Sequence, residues 1–240
     1  MSTANSTGTI NVIVAGVGGQ GSILAAHILG KAAIRQTAAI RQTAAIGQTA
    51  AIRQTAAIRQ TAPGRPVKVR IGETYGAAMR GGKVFSHVRI GDARAPLTAE
   101  DGADIIIGLE PLETLRVAIP YLSPEGVCVV NTAKYIPADV KMGRAGYPEM
   151  DSILAALKRL GRQVISFDAT AAAQELGRAA VMNTIMLGAA SATGLLPMDE
   201  KTLRDTIAEE APAGTAELNM KAFDRGREIA QSLSKTGVKS

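Results

Sequence analysis

A glycine-rich loop near the start of the chain could bind a phosphate group. Gly16, Gly18 and Gly21 have G-x-G-x-x-G spacing, after a short apolar run and before a helical stretch. Such a loop permits a tight turn and directs backbone amides at a helix N-terminus towards a phosphate. The loop therefore predicts a phosphate contact, or merely tight packing of strand on helix. The candidate cofactor-binding residues of this loop are Gly16, Gly18, Gly19, Gln20 and Gly21.

The residues that follow the loop argue against NAD as the ligand. A dinucleotide site needs an acidic residue about 20 positions further on, at the end of the second strand. No Asp or Glu precedes Glu73. A pyrophosphate other than that of NAD therefore remains the phosphate-binding alternative.

A second polar cluster, at residues 73–89, combines a loop with a strand pattern. Arg80, beside two glycines, can present a bidentate guanidinium and exposed amides to an anion. Ser86 and His87 are adjacent in a strand, so their side chains face opposite ways and cannot form a nucleophile–base pair. An alternative is a structural ion-pair network among the Glu and Arg side chains of the cluster. Its candidate cofactor-binding residues are Arg80, Gly81, Gly82, Ser86 and His87, and we predict no catalytic residue or metal ligand in the chain.

The composition indicates a soluble, folded protein. The chain has 240 residues, 46% of them hydrophobic, with one cysteine and no tryptophan. A single cysteine excludes an intramolecular disulfide and an iron–sulfur cluster held by this chain alone. No apolar run approaches the roughly 20 residues of a membrane span, and the first residues lack the pattern of a secretory signal. We therefore expect a cytoplasmic protein.

The positive charge is concentrated in an internal repeat and its flanks. Residues 1–72 contain eight Lys and Arg and no acid, and the hexapeptide AAIRQT occurs five times in residues 32–61, with Gly47 in place of one Arg. The arginines are single and aromatic residues make up only 3%, so we do not expect nucleic-acid binding. Residue propensities favour a helix modestly, with a strand left open. The repeat is either a duplication that lengthens one helix into solvent or an arm for self-assembly.

The remaining pattern predicts an α/β fold with a Rossmann-like open, mostly parallel sheet, flanking helices and a helical C-terminal third. We expect one domain over residues 10–232, a disordered N-terminus at 1–9 and a flexible C-terminus at 233–240. The predicted strands are 10–15, 67–71, 84–90, 104–109, 127–131 and 163–167. The predicted helices are 110–121, 152–160, 178–193, 199–210 and 215–234, besides a long helix over roughly 20–61.

Several blocks of sequence resemble the gamma subunit of the 2-oxoacid:acceptor oxidoreductases, which include the pyruvate, 2-ketoisovalerate, indolepyruvate and phenylglyoxylate enzymes. The most specific are GVGGQG at 16–21, ETYGAAMRGGKVFSHVR at 73–89 and DIIIGLEPLETLR at 104–116. Shorter blocks continue the resemblance to residue 232: VVNT at 129–132, AQELG at 173–177, NTIMLGA at 183–189 and NMKAF at 219–223. The repeat departs from the family pattern.

The resemblance implies a reaction shared among several subunits. A 2-oxo acid would be decarboxylated on thiamine diphosphate held by alpha and beta subunits. Electrons would leave through an iron–sulfur subunit to ferredoxin, or to NAD through FAD on another subunit. Coenzyme A would take up the acyl group, with the glycine loop and Arg80 at its phosphates. Within the family, the resemblance is greater to the members that act on aryl 2-oxo acids. A non-catalytic assembly scaffold and a stand-alone Rossmann dehydrogenase remain alternative functions.

Overall fold

Six strands form one sheet in the order β2-β3-β1-β4-β5-β6. The computed structural model describes residues 8–45, 67–76, 82–136, 140, 142–143 and 146–236. The strands are β1 (Ile10–Val17), β2 (Lys68–Tyr75), β3 (Lys83–Gly91), β4 (Ala103–Gly108), β5 (Leu122–Asn131) and β6 (Gln163–Phe167). Strands β1, β4, β5 and β6 are parallel, which confirms the mostly parallel sheet. Strands β2 and β3 form an antiparallel pair that joins the sheet along β1.

Seven helices flank the sheet in the part of the chain that the structure describes. They are α1 (Ser22–Ala45), α2 (Pro111–Tyr121), α3 (Met150–Leu160), α4 (Ala169–Glu175), α5 (Met182–Ser191), α6 (Glu200–Glu210) and α7 (Ala216–Thr236). A short 3-10 turn precedes α5, so the helix predicted from residue 178 begins as an α-helix only at Met182. Helix α4 was not predicted.

Alternating side chains of each strand build two separate cores. Val12, Val14 and Ile107 face α1 and the C-terminal helices, whereas Ile13 and Ile106 face α2 and α3. The continuous apolar runs in β1, β4 and β5 follow from this arrangement, because both faces of a parallel sheet are covered by helices.

Capping side chains fix where two of the helices begin. Glu110 accepts a hydrogen bond from the Glu113 amide, and Pro111 occupies the first helical position of α2. Asp168 accepts one from the Ala171 amide at the start of α4. Side chains at this position satisfy amides that lack a partner within the helix. Both helices therefore begin directly after the carboxyl end of a strand.

The first AAIRQT copy is part of the packed domain. Ala32 and Ala33 are buried, while Ile34 is exposed. Arg35 contacts Thr206 and Glu209 of α6, and Gln36 accepts a hydrogen bond from the Asp199 amide. The prediction that the repeat is helical is met as far as Ala45, and the rest of the arm lies outside the described residues.

The structure describes part of each segment predicted as a tail. Thr9 is buried beside β1, and α7 continues to Thr236, four residues into the tail predicted to begin at 233. Residues 1–7 and 237–240 lie outside the described ranges. Among the helices described, none is long and apolar enough to cross a lipid bilayer.

Candidate functional site

The strand arrangement predicts a crevice where β1 and β4 end. The two strands are parallel neighbours, and α1, which follows β1, packs on the opposite face of the sheet from α2, which follows β4. Chains that leave adjacent parallel strands towards opposite faces create a cleft at the carboxyl edge, the usual ligand position in open α/β sheets. The predicted glycine loop forms one wall of this crevice.

Gln20 closes the glycine loop on itself and ties it to β4. Its Oε1 accepts a hydrogen bond from the Val17 amide at 2.8 Å, and its Nε2 donates to the Leu109 carbonyl oxygen at 3.3 Å. Gly16 permits this arrangement, because a Cβ there would lie 2.8 Å from the same Oε1 and 3.0 Å from the Leu109 Cβ. Gly16 and Gln20 therefore shape the loop.

The turn between β2 and β3 lies against the glycine loop. The Gly18 amide donates to the Gly82 carbonyl oxygen at 2.9 Å, and the Gly76 amide donates to the Lys83 carbonyl oxygen at 2.8 Å. The structure thus brings Gly18 and Gly82, two predicted site residues, together. Arg80 and Gly81 lie outside the described residues.

Gly19 is the exposed tip of the loop. Its φ of +106° is unfavourable for other residues, and a Cβ added there would meet no atom within 4 Å among the described residues. Gly21 also has a positive φ, +83°, but a Cβ there would lie only 2.5 Å from Nδ2 of Asn183 on α5. Gly19 thus leaves space for a ligand, whereas Gly21 allows α5 to pack on the loop.

Ser86 and His87 lie inside the sheet and are not brought to the crevice. Ser86 pairs with Val14 and His87 with Ile13, and both side chains are buried. They face opposite sides, as predicted for adjacent strand residues. Ser86 Oγ is buried and has no hydrogen-bond partner among the residues that the structure describes. Neither side chain is open to a ligand at the glycine loop, so the structure separates these two residues from the rest of the predicted set.

His87 is held neutral by its surroundings. Its Nδ1 accepts a hydrogen bond from the Thr98 amide at 3.2 Å, and the ring packs edge-on against Phe85 and Tyr121. Burial, together with the charge of Arg89, lowers the pKa of His87 to about 4. A neutral imidazole that accepts a backbone hydrogen bond in the core has a structural role.

Two buried polar residues, absent from the predicted set, build the far wall of the crevice. Glu110 receives hydrogen bonds from the Tyr147 hydroxyl at 2.5 Å and the Tyr135 amide at 3.4 Å, besides the helix cap. Asn131 donates to the Leu109 carbonyl oxygen and accepts from the Ala169 amide. These contacts fix the loops after β4 and β5. Both residues fall within resembling blocks, but their spacing gave no hint of a role.

Lys83 and Glu113 add charge beside the loop. Lys83 pairs with Val17 across β1 and β3, and Glu113 lies in the first turn of α2. One oxygen of Glu113 binds Arg116 at 2.6 Å, and the other is buried and finds no hydrogen-bond partner in the described part of the chain. Burial raises the pKa of Glu113, an effect that Arg116 and Lys83 oppose. The position of Lys83, directly after two glycines, was the signal that sequence reasoning could have used.

In the described part of the polar cluster at 73–89, Glu73 and Arg89 do not belong to one ion-pair network. Glu73 pairs with His27 of α1, at 3.3 Å, and with the Tyr75 hydroxyl. Arg89 instead donates to Asn11 and to the Ala95 and Leu97 carbonyl oxygens, near the opposite end of β3. The cluster therefore divides into contacts at two ends of the hairpin.

The crevice is suited to binding an anionic group. Gly19 and the beginning of α1 can offer amides, and the N-terminus of a helix favours negative charge. Lys83 lies beside them. The described crevice residues show no nucleophile paired with a base, so the arrangement fits recognition of a phosphate better than bond-breaking chemistry.

The sequence is similar to subunits of one class of oxidoreductase. The family described as pyruvate ferredoxin/flavodoxin oxidoreductase matches residues 54–229. The indolepyruvate oxidoreductase subunit IorB of Archaeoglobus fulgidus is 34% identical over 217 residues, which make up 90% of this chain and 93% of that protein. IorB of Thermococcus kodakarensis is 32% identical, over 93% of this chain and 96% of its own length.

The fold also matches a solved structure. Pyruvate oxidoreductase subunit PORC of Thermotoga maritima superposes on this chain with a TM-score of 0.60. The superposition covers 92% of this chain and 96% of the PORC chain. At 23% sequence identity, this likeness shows a common fold.

Proposed function

The chain belongs to the pyruvate ferredoxin/flavodoxin oxidoreductase family, and on that premise we propose that it serves in oxidising an aryl 2-oxo acid, indolepyruvate being the first candidate. It is a gamma-type subunit of a 2-oxoacid oxidoreductase, an enzyme of several subunits. The observation that carries the substrate proposal is the match to indolepyruvate subunits along nearly the full length of both chains.

The cofactors of the reaction belong, in this proposal, to partner chains. An iron–sulfur cluster takes several thiolate ligands, whereas this chain has one cysteine. That residue, Cys128, is fully buried in β5, and burial raises the pKa of its thiol to about 12. The residues of this chain therefore do not provide the ligands that an iron–sulfur cluster needs. We assign the clusters to an iron–sulfur subunit and thiamine diphosphate to alpha and beta subunits.

The part of this chain in the reaction is to hold coenzyme A at the glycine loop. The amides of Val17, Gly18 and Gln20 are already engaged within the protein. Gly19 and the first turn of α1 are left to meet a phosphate, with Lys83 beside them. Arg80 is two residues from Gly82, whose carbonyl oxygen binds the loop. A guanidinium at this turn would complete a site for the diphosphate or the 3′-phosphate.

A stand-alone dinucleotide enzyme is a weaker alternative. The next described strand after α1, β2, is an edge strand that runs antiparallel to β3. In a dinucleotide-binding unit the second strand lies directly beside the first and ends in the acid that binds the ribose, whereas β3 separates β2 from β1 here. Strand β2 carries an acid, Glu73, near its end, but this carboxylate pairs with His27.

Substrate preference tests the proposal directly. The complex is purified from the native host by means of this chain, and its activity is followed by reduction of the electron acceptor. Its kcat/KM should be at least tenfold higher for indolepyruvate than for pyruvate or 2-oxoglutarate. The same preparation should contain thiamine diphosphate and a cysteine-rich chain. A preference for pyruvate or 2-oxoglutarate would overturn the substrate, and the absence of any companion chain would overturn the assignment of cofactors to partners.

A further inference from the structure

A cavity lies among the helices on the face of the sheet that α1 covers. It is open to solvent on one side and has room for about 150 Å³, and its walls come from α1, α6, the beginning of α7 and residues 178–184. Leu24, Ile28, Val181 and Ile207 make these walls largely apolar. Apolar cavities of about 150 Å³ accept one benzene ring. The size therefore limits a ligand to a small ring or a branched alkyl group.

Most polar groups on one side of the cavity form hydrogen bonds with one another. Thr184 Oγ1 donates to Asn219 Oδ1 at 2.7 Å, and Asn219 Nδ2 donates to the Thr215 carbonyl oxygen at 3.0 Å. Asn183 is different, because it is only 7% exposed and its side-chain amide makes no hydrogen bond as a donor within the described residues. The Asn183 Nδ2 atom keeps some contact with solvent, so it can donate a hydrogen bond to a ligand oxygen.

The rim of the cavity carries one uncompensated positive charge. Glu210 lines the rim, but its carboxylate is paired with Lys31 at 2.5 Å. Arg178 is exposed and forms no ion pair with the described part of the chain. A carboxylate at the rim would meet a guanidinium rather than a free acid, and a charge-assisted hydrogen bond there would fix its orientation.

We propose that this cavity binds a small monocarboxylic acid, with its aromatic or branched apolar body inside and its carboxylate at Arg178 and Asn183. The site is separate from the crevice and does not depend on the proposed reaction. The amide nitrogen of Asn183 also lies against Gly21, so a ligand that binds this amide would also act on the packing of α5 against the glycine loop.

Benzoate titrated into the full chain, followed by amide chemical shifts, tests the proposal. We expect saturable binding, with shifts centred on residues 180–184 and 207–211. Benzamide has the same shape without the charge. We expect its affinity to be about fivefold lower, which is the contribution of one exposed ion pair. Replacing Arg178 with alanine should abolish that difference.

Two substitutions on the turn before α5 distinguish the cavity from the surface around it. Ala180 lines the cavity, whereas its neighbour Ala179 does not. Both are exposed, so phenylalanine at either position should leave the fold intact, as thermal unfolding would verify. We expect Ala180→Phe to prevent benzoate binding and Ala179→Phe to retain it. Absence of saturable binding to the unmodified chain, equal binding by both variants, or shifts centred on the glycine loop would each overturn the proposal.

Discussion

Replacing Gly188 with alanine will destabilise the protein by about 3 kcal/mol, the upper part of the range for forcing extra atoms into a packed core. Gly188 of α5 faces α7, and a Cβ there would overlap the Phe223 carbonyl oxygen. Gly226 of α7 faces back, and a Cβ there would overlap the Ile185 carbonyl oxygen. The backbones of two buried helices therefore meet at two glycines, and neither helix can move away without opening the core.

Thermal unfolding of the isolated chain measures this effect. The change should lower the melting temperature by roughly 10 °C for a chain of this length. Gly146→Ala is the matched control, since a Cβ there would meet no atom of the described residues within 4 Å. A Gly188→Ala protein as stable as the control would show that the two helices do not approach as described.

The stability of the chain will fall as the pH is lowered, because His87 is buried in its neutral form. Its pKa is lowered to about 4 in the folded state, against about 6.5 in an unfolded chain. Below the unfolded value the unfolded state binds the proton more readily, so stability is lost as the pH falls from 6.5 towards 4. Linkage gives a loss of about 2 kcal/mol between pH 7 and pH 5.

Urea unfolding at a series of pH values isolates the contribution of His87. The groups around the imidazole are Phe85 and Arg89 on its own strand, Tyr121 of α2 and the Thr98 amide. Burial raises the pKa of Glu113 and of Asp104, and these two carboxyls act in the opposite direction. We therefore compare His87→Asn with the unmodified chain, and expect the difference between them to shrink as the pH falls. His27→Asn, at the exposed histidine, is the control, and a pH-independent difference for His87→Asn would contradict the neutral imidazole.

The sheet could be predicted from the sequence because its strands are short apolar runs rich in β-branched residues. Ile10–Val17 and Ala103–Gly108 are recognisable by this property alone. The antiparallel pairing of β2 with β3 was not recognisable, since side-chain alternation is the same for either direction. Helix α4 was missed because its seven residues, mostly alanine, show no periodic apolar face.

The conformation of the glycine loop could be predicted from the sequence, whereas the burial of other candidate residues could not. The glycine spacing predicted a tight loop between β1 and α1, because positive φ and close approach depend on local sequence. Ser86 and His87 were included for their chemistry, but only the packing of helices on both faces shows that they are buried. Glu110 and Asn131 act through carbonyls and amides distant in the sequence, and no local pattern encodes such partners.

The contacts of the AAIRQT repeat also could not be predicted from local sequence. Five near-identical hexapeptides have the same propensities, yet the first has Ala32 and Ala33 in the core and Arg35 on α6. That copy follows directly on the segment of α1 that packs against the sheet. Its contacts follow from its position next to that segment, which the repeat sequence by itself does not specify.

The coenzyme A requirement of an Arg80→Ala complex tests the central claim most directly, namely that this chain supplies the phosphate-binding edge of a larger enzyme. The complex should show about a tenfold higher KM for coenzyme A, as expected for loss of a charge-assisted contact, with the KM for the 2-oxo acid unchanged. Arg162→Ala, at an exposed arginine before β6, is the control and should change neither value. An unchanged KM for coenzyme A in the Arg80→Ala complex would contradict the claim.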